Sequence, residues 1–577
     1  MTATFSTRAE SWTPPTRRSA AIFAAKAVLL RVRRAARDLA YPMPRLGRSP
    51  AAQLGEIIAE SNTALWTDET LAERAWQLGK VENLRIAARA LDRLLIPTGE
   101  VFSFWRHVGP PLAARGFVAG RMLREGCMIP ATGGGLCQLS NALYDVALQA
   151  GCRIVERHAH SRIVPGSAAA EGRDATVAWN YVDLRFTPDR DLRLTVGLDA
   201  ESLVVRLMGA EATAGAPEPE LAARASDPAP RSCGLCDETD CFRHGRSTPV
   251  LETRRRVFFL DEAWPEFQDY VRSIRTGDDR LGVPIIAGPT RFHRYAWPTD
   301  GFEAIGSASI ATIQRSLTQR MAGQQGAARR GAELAGARRI ATSLARLLRP
   351  DVTSVVVAQS YLPFLWREGR LGGREFTVLM TRLPISVLQA RLDAAAAAHP
   401  ERRTLADFRA PAWLADAEST ALAAAARIVT PHAAIAALFG ERAHRLQWAV
   451  PVPPERRRTP AGRFIAFPGP TVARKGAQVV RQAAAALDLE VMPFGSELEG
   501  PDFWSGTRVV PPGDWMSALA VVQPAIVEDQ PRRLLAALAA GVPVIATPAS
   551  GLDPQPGLVL IPADEPTSLI DALGRLM

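Results

Sequence analysis

The spacing of apolar residues changes character along the chain. In "KVENLRIAARALDRLL" they fall at Leu84, Ile86, Ala87, Ala90, Leu91 and Leu94, the spacing of a helix with one buried face. After Gly133, Gly134 and Gly135 the same period returns at Leu136, Leu139, Leu143, Val146, Ala147 and Ala150. Gly151 supplies a C-terminal stop. The period then drops to two in "ATVAWNYVDLRF" and "LRLTVGL", which predicts strands. Residues 51–208 therefore read as an α+β domain. From residue 253 the pattern becomes short continuous apolar runs, "RVFFL" and "SVVVAQ", as in strands buried on both faces. Beyond Pro451 the alternation is clearest. "RFIAFPG", "LEVMPFG", "TRVVPPG", "LAVVQPAIV", "PVIATPAS" and "LVLIPA" read as strands, with "KGAQVVRQAAAAL" and "QPRRLLAALAAG" as helices between them. Such repeated βα units predict parallel sheets, in two Rossmann-like lobes at 253–450 and 451–577 with a cleft between them. The chain is multidomain: α+β first, α/β afterwards.

Composition marks the joints. "GAEATAGAPEPELAARASDPAPRS" (Gly209–Ser232) opens a linker at 209–252. Residues 1–50 are basic and read as a loosely ordered N-terminus. The apolar run there, Ala20–Leu30, is shorter than the roughly 20 residues a membrane span needs. Arginines flank it, so it reads either as a surface helix or as a peripheral contact with a membrane surface. The net charge of +10 is carried almost entirely by arginine, the only lysines being Lys26, Lys80 and Lys475. No aromatic-basic stripe accompanies that charge, which argues against a nucleic-acid partner. No stretch reads as an export signal or a span, so the expected location is cytoplasmic, at the inner face of the membrane.

Three clusters carry candidate chemistry. Cys137 sits in the first turn of the helix that follows the three glycines, where free N–H groups and the helix dipole favour a thiolate. "ERHAHS" offers His158 and His160 as bases; on a strand both would share one face. Asp174 is a candidate third group. The second cluster, "CGLCDETDCFRH", spaces Cys233, Cys236, Cys241 and His244 as a compact set of four ligands. It reads as a structural zinc knuckle, with an iron–sulfur cluster or a reduced loop as alternatives. The third is "FPGPTVARKGAQVV", where a turn at Gly469 precedes Arg474 and Lys475 at a helix start, an arrangement suited to a diphosphate.

Two resemblances follow from these motifs. "KVENLRIAARALDRLLIPTGEVFSFWRHVGP", "GCMIPATGGGLCQLSNALYDVALQAG", "IVERHAHSRIVPG" and "GRDATVAWNYVDLRF" occur in the order and at the intervals of the VanW family, and together resemble it from Lys80 to Phe186. That resemblance implies a cysteine-dependent reaction on a peptidoglycan-type precursor, with Cys137 as nucleophile and His158 or His160 as base. "QPAIVEDQPRRLLAALAAGVPVIATPASGL" resembles the C-terminal signature of group 1 glycosyltransferases of the GT-B fold, and the likeness extends over about 253–577. It implies a nucleotide-sugar donor, a glycan or envelope-precursor acceptor, and charge neutralisation by Arg474 and Lys475. Glu528 occupies the place of the family's first carboxylate; Ala536 stands where the second would be, and Arg382 near the place of a histidine. A scaffold that binds a sugar or nucleotide without turnover is the remaining alternative.

Overall fold

A computed structural model describes residues 14–48, 55–67, 71–160, 162–164, 167–210, 231–233, 236, 238, 240–243, 255–286, 290–453, 455 and 463–577. The chain divides into two compact units. The first runs to Arg255 and takes in Leu348–Ser354 and Glu368–Glu375; the second comprises Arg256–Leu347, Val355–Arg367 and Phe376–Met577. Most of the linker at 209–252 lies outside the described residues.

In chain order the first unit contains α1 (Arg17–Ala40), β1 (Glu56–Ala64), α2 (Leu71–Leu91), β2 (Leu94–Ile96) and β3 (Phe102–Ser103). Next come α3 (Phe104–Val108), β4 (Ala119–Arg124), β5 (Cys127–Thr132), α4 (Leu136–Gln149) and β6 (Arg153–Glu156). The strands β7 (Arg185–Thr187), β8 (Leu192–Leu198), β9 (Ser202–Gly209) and β10 (Arg231–Ser232) complete it. An antiparallel sheet of order β1-β9-β8-β2 forms its floor. β9 alternates faces: Leu203, Val205 and Leu207 are fully buried and the residues between them are half-buried. α2 and α4 pack into the same core, with Leu84, Leu91, Leu139, Leu143 and Val146 fully buried. Each such side chain contributes about 1.5–3 kcal/mol of burial.

One expected strand does not form. Of "ATVAWNYVDLRF" only Arg185 and Phe186 enter a strand, β7, and Ala178 and Val182 are joined by an isolated bridge around a tight turn. The cause lies in how its backbone is satisfied. The Ala175 N–H donates to Asn141 Oδ1 at 2.8 Å and the Thr176 N–H to the His158 carbonyl at 2.8 Å. Ser140 Oγ donates to the Ala175 carbonyl. With these groups claimed by α4 and a loop, no ladder can use them, although the apolar side chains still go inward.

Two further sheets follow, and most of their residues belong to the second unit. The larger contains β11 (Arg255–Phe259), β12 (Arg280–Val283), β13 (Ala304–Ser307), β14 (Val352–Ala358), β15 (Glu375–Leu379), β16 (Arg427–Thr430) and β17 (Ala443–Arg445). Its order is β13-β12-β11-β14-β15-β16-β17. The β11–β12, β12–β13, β15–β16 and β16–β17 pairs are parallel. The smaller sheet contains β18 (Phe464–Phe467), β19 (Glu490–Pro493), β20 (Ala520–Gln523), β21 (Val544–Ala546) and β22 (Leu558–Leu560). Its order is β19-β18-β20-β21-β22, parallel throughout. Helices Ala477–Ala486 and Arg532–Ala539 make the crossovers β18 to β19 and β20 to β21. Every residue of β18 and β20 is buried, which explains the apolar run of β18 and that of β20 up to Gln523, whose amide is paired with Glu528. "TRVVPPG" yields only a bridge between Val509 and Val491. Two parallel α/β sheets in tandem are the GT-B architecture.

Candidate functional site

In the first unit the glycine loop and α4 set the position of Cys137. Gly135 caps the helix in a left-handed conformation (φ 95°), and no side chain caps the free N–H groups. A Cβ on Gly134 would stand 2.2 Å from the Gly120 carbonyl oxygen, so glycine there is a requirement of close approach. Asn83 clamps the loop: its Nδ2 donates to the Gly134 and Val118 carbonyls at 2.9 and 3.0 Å, and its Oδ1 accepts from the Val118 N–H.

The Cys137 thiol meets three partners. Its Sγ lies 3.5 Å from Thr176 Oγ1 and 3.8 Å from the Val177 carbonyl, and it hydrogen-bonds the imidazole of His160. His160 Nδ1 in turn meets Asp174 Oδ1, and the His160 backbone N–H donates to Asp174 Oδ2 at 2.9 Å. The Asp174 side chain is fully buried and Arg157 Nε donates to its carbonyl at 2.6 Å. The charges follow from these contacts. Burial opposes ionisation of Cys137, but the hydrogen bond and positive charge of His160 outweigh it and hold the thiol below its ordinary value. Burial also disfavours the imidazolium, yet Asp174 and Cys137 push the His160 pKa up to about 10. Asp174 stays below the usual carboxylate range because His160 offsets its burial. The arrangement favours a thiolate beside an imidazolium that a carboxylate orients.

His158 does not join it. β6 ends at Glu156, so the two histidines do not share a strand face; His158 Nε2 sits 3.5 Å from Glu156 and its side chain is half exposed. Sequence reasoning passed over Thr176 and Lys80. Lys80 lies against Gly135, where a Cβ would meet its Cγ at 2.2 Å, and burial beside Arg121 pulls its amine down to about 7. The scarcity of lysine in this chain was the available signal.

The cysteine-rich stretch is arranged differently from its spacing. β10 runs parallel to β5, with Arg231 opposite Cys127 and the Cys233 N–H donating to the Met128 carbonyl at 3.0 Å. Cys127 thereby comes within electrostatic reach of Cys236 and Cys241, and burial pushes its thiol up. The Cys233 thiol points at the Arg243 carbonyl, 3.7 Å away. Among the described residues no group of three or more His, Cys, Asp or Glu side chains is placed to hold a metal ion. The expected set of Cys233, Cys236, Cys241 and His244 is therefore not assembled among them, and His244 itself lies outside the described residues.

In the second unit Arg474 and Lys475 lie on a single turn after β18, closed by Gly476 in a left-handed conformation (φ 83°). A Cβ on Gly476 would stand 2.3 Å from the Pro524 carbonyl, which ties this turn to the end of β20. The pair faces inward. Lys475 Nζ donates to Glu528 Oε2 at 2.8 Å, and Gln523 Nε2 donates to the same oxygen at 2.6 Å. Glu528 Oε1 accepts the backbone N–H groups of Asp529 and Gln530, both at 2.9 Å. Gly469 packs against Lys475 and Gln523. The Arg474 guanidinium stacks 5.3 Å from the ring of Phe408, and Arg330 lies over the same ring at 4.3 Å. Phe408 holds a positive φ of 65°, costly for an aromatic residue. Beside this cluster opens a cavity of about 350 Å³ whose lining includes Asp261, Tyr295, Arg315, Arg330, Arg382 and Asp529. Burial pushes the Asp529 carboxyl up, and it pulls the Arg474 guanidinium down although Asp529, Asp407 and Glu528 oppose that. Ala536 is on the helix after β20, half-buried.

The fold and these two sites define a class: a two-unit protein pairing a thiol-bearing α+β domain with a GT-B α/β domain. Comparison with known proteins says which α+β domain it is. Residues 79–208 match the family described as "VanW like protein" and form a VanW-like domain. The vancomycin B-type resistance protein VanW of Enterococcus faecalis (strain ATCC 700802 / V583) is 34% identical over 155 residues, 26% of this chain and 56% of that protein. The uncharacterized protein YoaR of Bacillus subtilis (strain 168) is 36% identical over 104 residues, 18% of this chain and 34% of that one. The chain thus spans about half of the first relative and a third of the second. Among solved structures, the sucrose-phosphate synthase of Thermosynechococcus elongatus is similar with a TM-score of 0.36 at 15% identity, over 56% of this chain and 90% of that one. HepE of Anabaena, in complex with UDP and glucose, has a TM-score of 0.34 at 12% identity, over 56% and 89%. WaaG, a glycosyltransferase involved in lipopolysaccharide biosynthesis, has a TM-score of 0.32 at 13% identity, over 56% and 91%.

Proposed function

We propose that the second unit transfers a sugar from a nucleotide-sugar donor to a glycan or envelope precursor. One observation carries this reading: Arg474 and Lys475 are turned inward, beside Glu528 and the cavity, beyond the carboxyl end of β20. That is where open α/β sheets bind their ligands. In the reaction the bond from the anomeric carbon to the diphosphate breaks, and the acceptor oxygen takes the diphosphate's place. Arg474 and Lys475 neutralise the charge that accumulates on the departing nucleoside diphosphate. As Lys475 turns to the diphosphate, the place it leaves on Glu528 Oε2 accepts a hydroxyl of the donor, and Gly469 leaves room for the phosphates. Nucleotide-sugars are made in the cytoplasm, so this reading sets the reaction at the inner face of the membrane. The test is a panel of UDP-, GDP- and dTDP-sugars, read as release of the nucleoside diphosphate. Lys475→Ala should lower turnover about 10²- to 10³-fold with the fold intact. Silence across the panel overturns the reading in favour of a non-catalytic binder, and full activity in the variant overturns the role given to Lys475.

A second reading concerns the first unit and rests on the hydrogen-bonded series Cys137, His160, Asp174. It is a thiol nucleophile acting on a carbonyl of a peptidoglycan-type precursor. The thiolate attacks the carbonyl carbon, His160 gives its proton to the leaving amine, and the thioester then passes to water or a second amine. Thr176 steadies the thiol.

A further inference from the structure

The outer face of α1 is unlike a soluble surface helix. Its inner face is fixed. Ala27 and Arg34, seven residues apart, are the buried positions. Arg34 Nη1 pairs with Glu156 at 2.9 Å, and Arg31 Nε donates to the Trp179 carbonyl at 2.7 Å. Opposite that face, at steps of three and four, stand Ile22, Ala25, Val28, Leu29, Val32, Ala36 and Leu39. They form one stripe, about 120° wide. All are exposed: Leu29 by 69%, Val32 by 62% and Leu39 by 84%. Cations border the stripe, with Lys26, Arg33 and Arg37 along one edge and Arg17 along the other, and Arg18 stands in line with it at the N-terminal end. Asp38, the helix's single acid, faces the other way and pairs with Arg185 at 3.4 Å.

We infer that α1 lies in the plane of an anionic lipid bilayer, its apolar stripe sunk among the acyl chains and its cations among the phosphates. The charge pattern selects this occupant: a stripe edged by cations on both flanks matches a surface that is negative everywhere and apolar just beneath. A second copy of the chain would bring the same cations against each other. With 24 residues the helix is about 36 Å long, yet among the described residues no helix is apolar enough to cross a membrane, so it lies on the surface. The inference is independent of the sugar-transfer reading, because it concerns a face of the other unit and its test measures binding rather than turnover.

The experiment sediments the full-length protein with vesicles rich in phosphatidylglycerol and with vesicles of phosphatidylcholine alone. Wild type should pellet with the anionic vesicles and be released by high salt. Leu29→Asp with Val32→Asp should lower that partitioning at least about tenfold. Each of Lys26→Gln, Arg33→Gln and Arg37→Gln should lower it about fivefold. Melting temperatures should stay put, since none of these side chains is buried. No binding to anionic vesicles, or binding unchanged in the Leu29/Val32 variant, overturns the inference. So does a wild-type dimer that ignores vesicles and falls apart in that variant, which would assign the stripe to a second copy.

Discussion

At the scale of single residues, the reactivity of Cys137 is set by two neighbours. Its pKa is depressed, so the thiolate is present at pH values where a free thiol, near 8.5, is still protonated. Alkylation by iodoacetamide should therefore reach half its maximal rate below that value and level off above it. Asp174→Asn removes the charge that favours the imidazolium, so the half-maximal pH should move upward. A profile unchanged in that variant would mean that His160 does not govern the thiol. Any step that uses the imidazolium as an acid should fade as pH rises through about 10, where His160 loses its proton. Cys137 was legible because its chemistry is local, a helix start, while Asp174 was only one carboxylate among several near the two histidines. The choice between His158 and His160 was not legible, because it depends on β6 ending at Glu156 and on Glu156 drawing His158 outward.

At the scale of elements, the glycine loop shows why sequence periodicity located α4 but misjudged the segment after it. α4 follows from its own spacing of apolar residues. The run from Ala175 to Phe186 has the alternation of a strand, yet Asn141, Ser140 and His158 occupy its backbone groups. Competition of that kind involves residues far apart in the chain, and no local pattern carries it. Gly134 offers a direct measurement. Gly134→Ala forces a Cβ against the Gly120 carbonyl and should cost about 1–3 kcal/mol in denaturant unfolding, with slower Cys137 alkylation as the loop shifts. Gly197→Ala in β8 has nothing within 4 Å of the added carbon and should leave both measurements unchanged. Equal behaviour of the two variants would remove the close-approach explanation for the loop.

At the scale of the whole molecule, one chain carries two unrelated sites on two compact units. The alternation of strands and helices made the α/β character of the second unit readable, because strands buried on both faces are largely apolar. The order of strands within each sheet was not readable, since any of several orders buries the same residues. Separate sites predict separable losses. Cys137→Ser should abolish alkylation at that position and leave nucleotide-sugar turnover intact, while Lys475→Ala should do the reverse. If either substitution silences both, the two units share a single reaction.

Glu528 holds Lys475 before any ligand arrives, and it does so with both oxygens already satisfied by Gln523 and two backbone N–H groups. On the sugar-transfer reading, a dianionic ligand would therefore meet an ammonium that is already neutralised. Its arrival is a swap of counter-ions, and the electrostatic gain is only the difference between the incoming anion and the displaced carboxylate. The carboxylate loses little in the exchange, because three donors remain to it. On that reading the site would discriminate against singly charged anions such as chloride, which offer no advantage over the partner Lys475 already has.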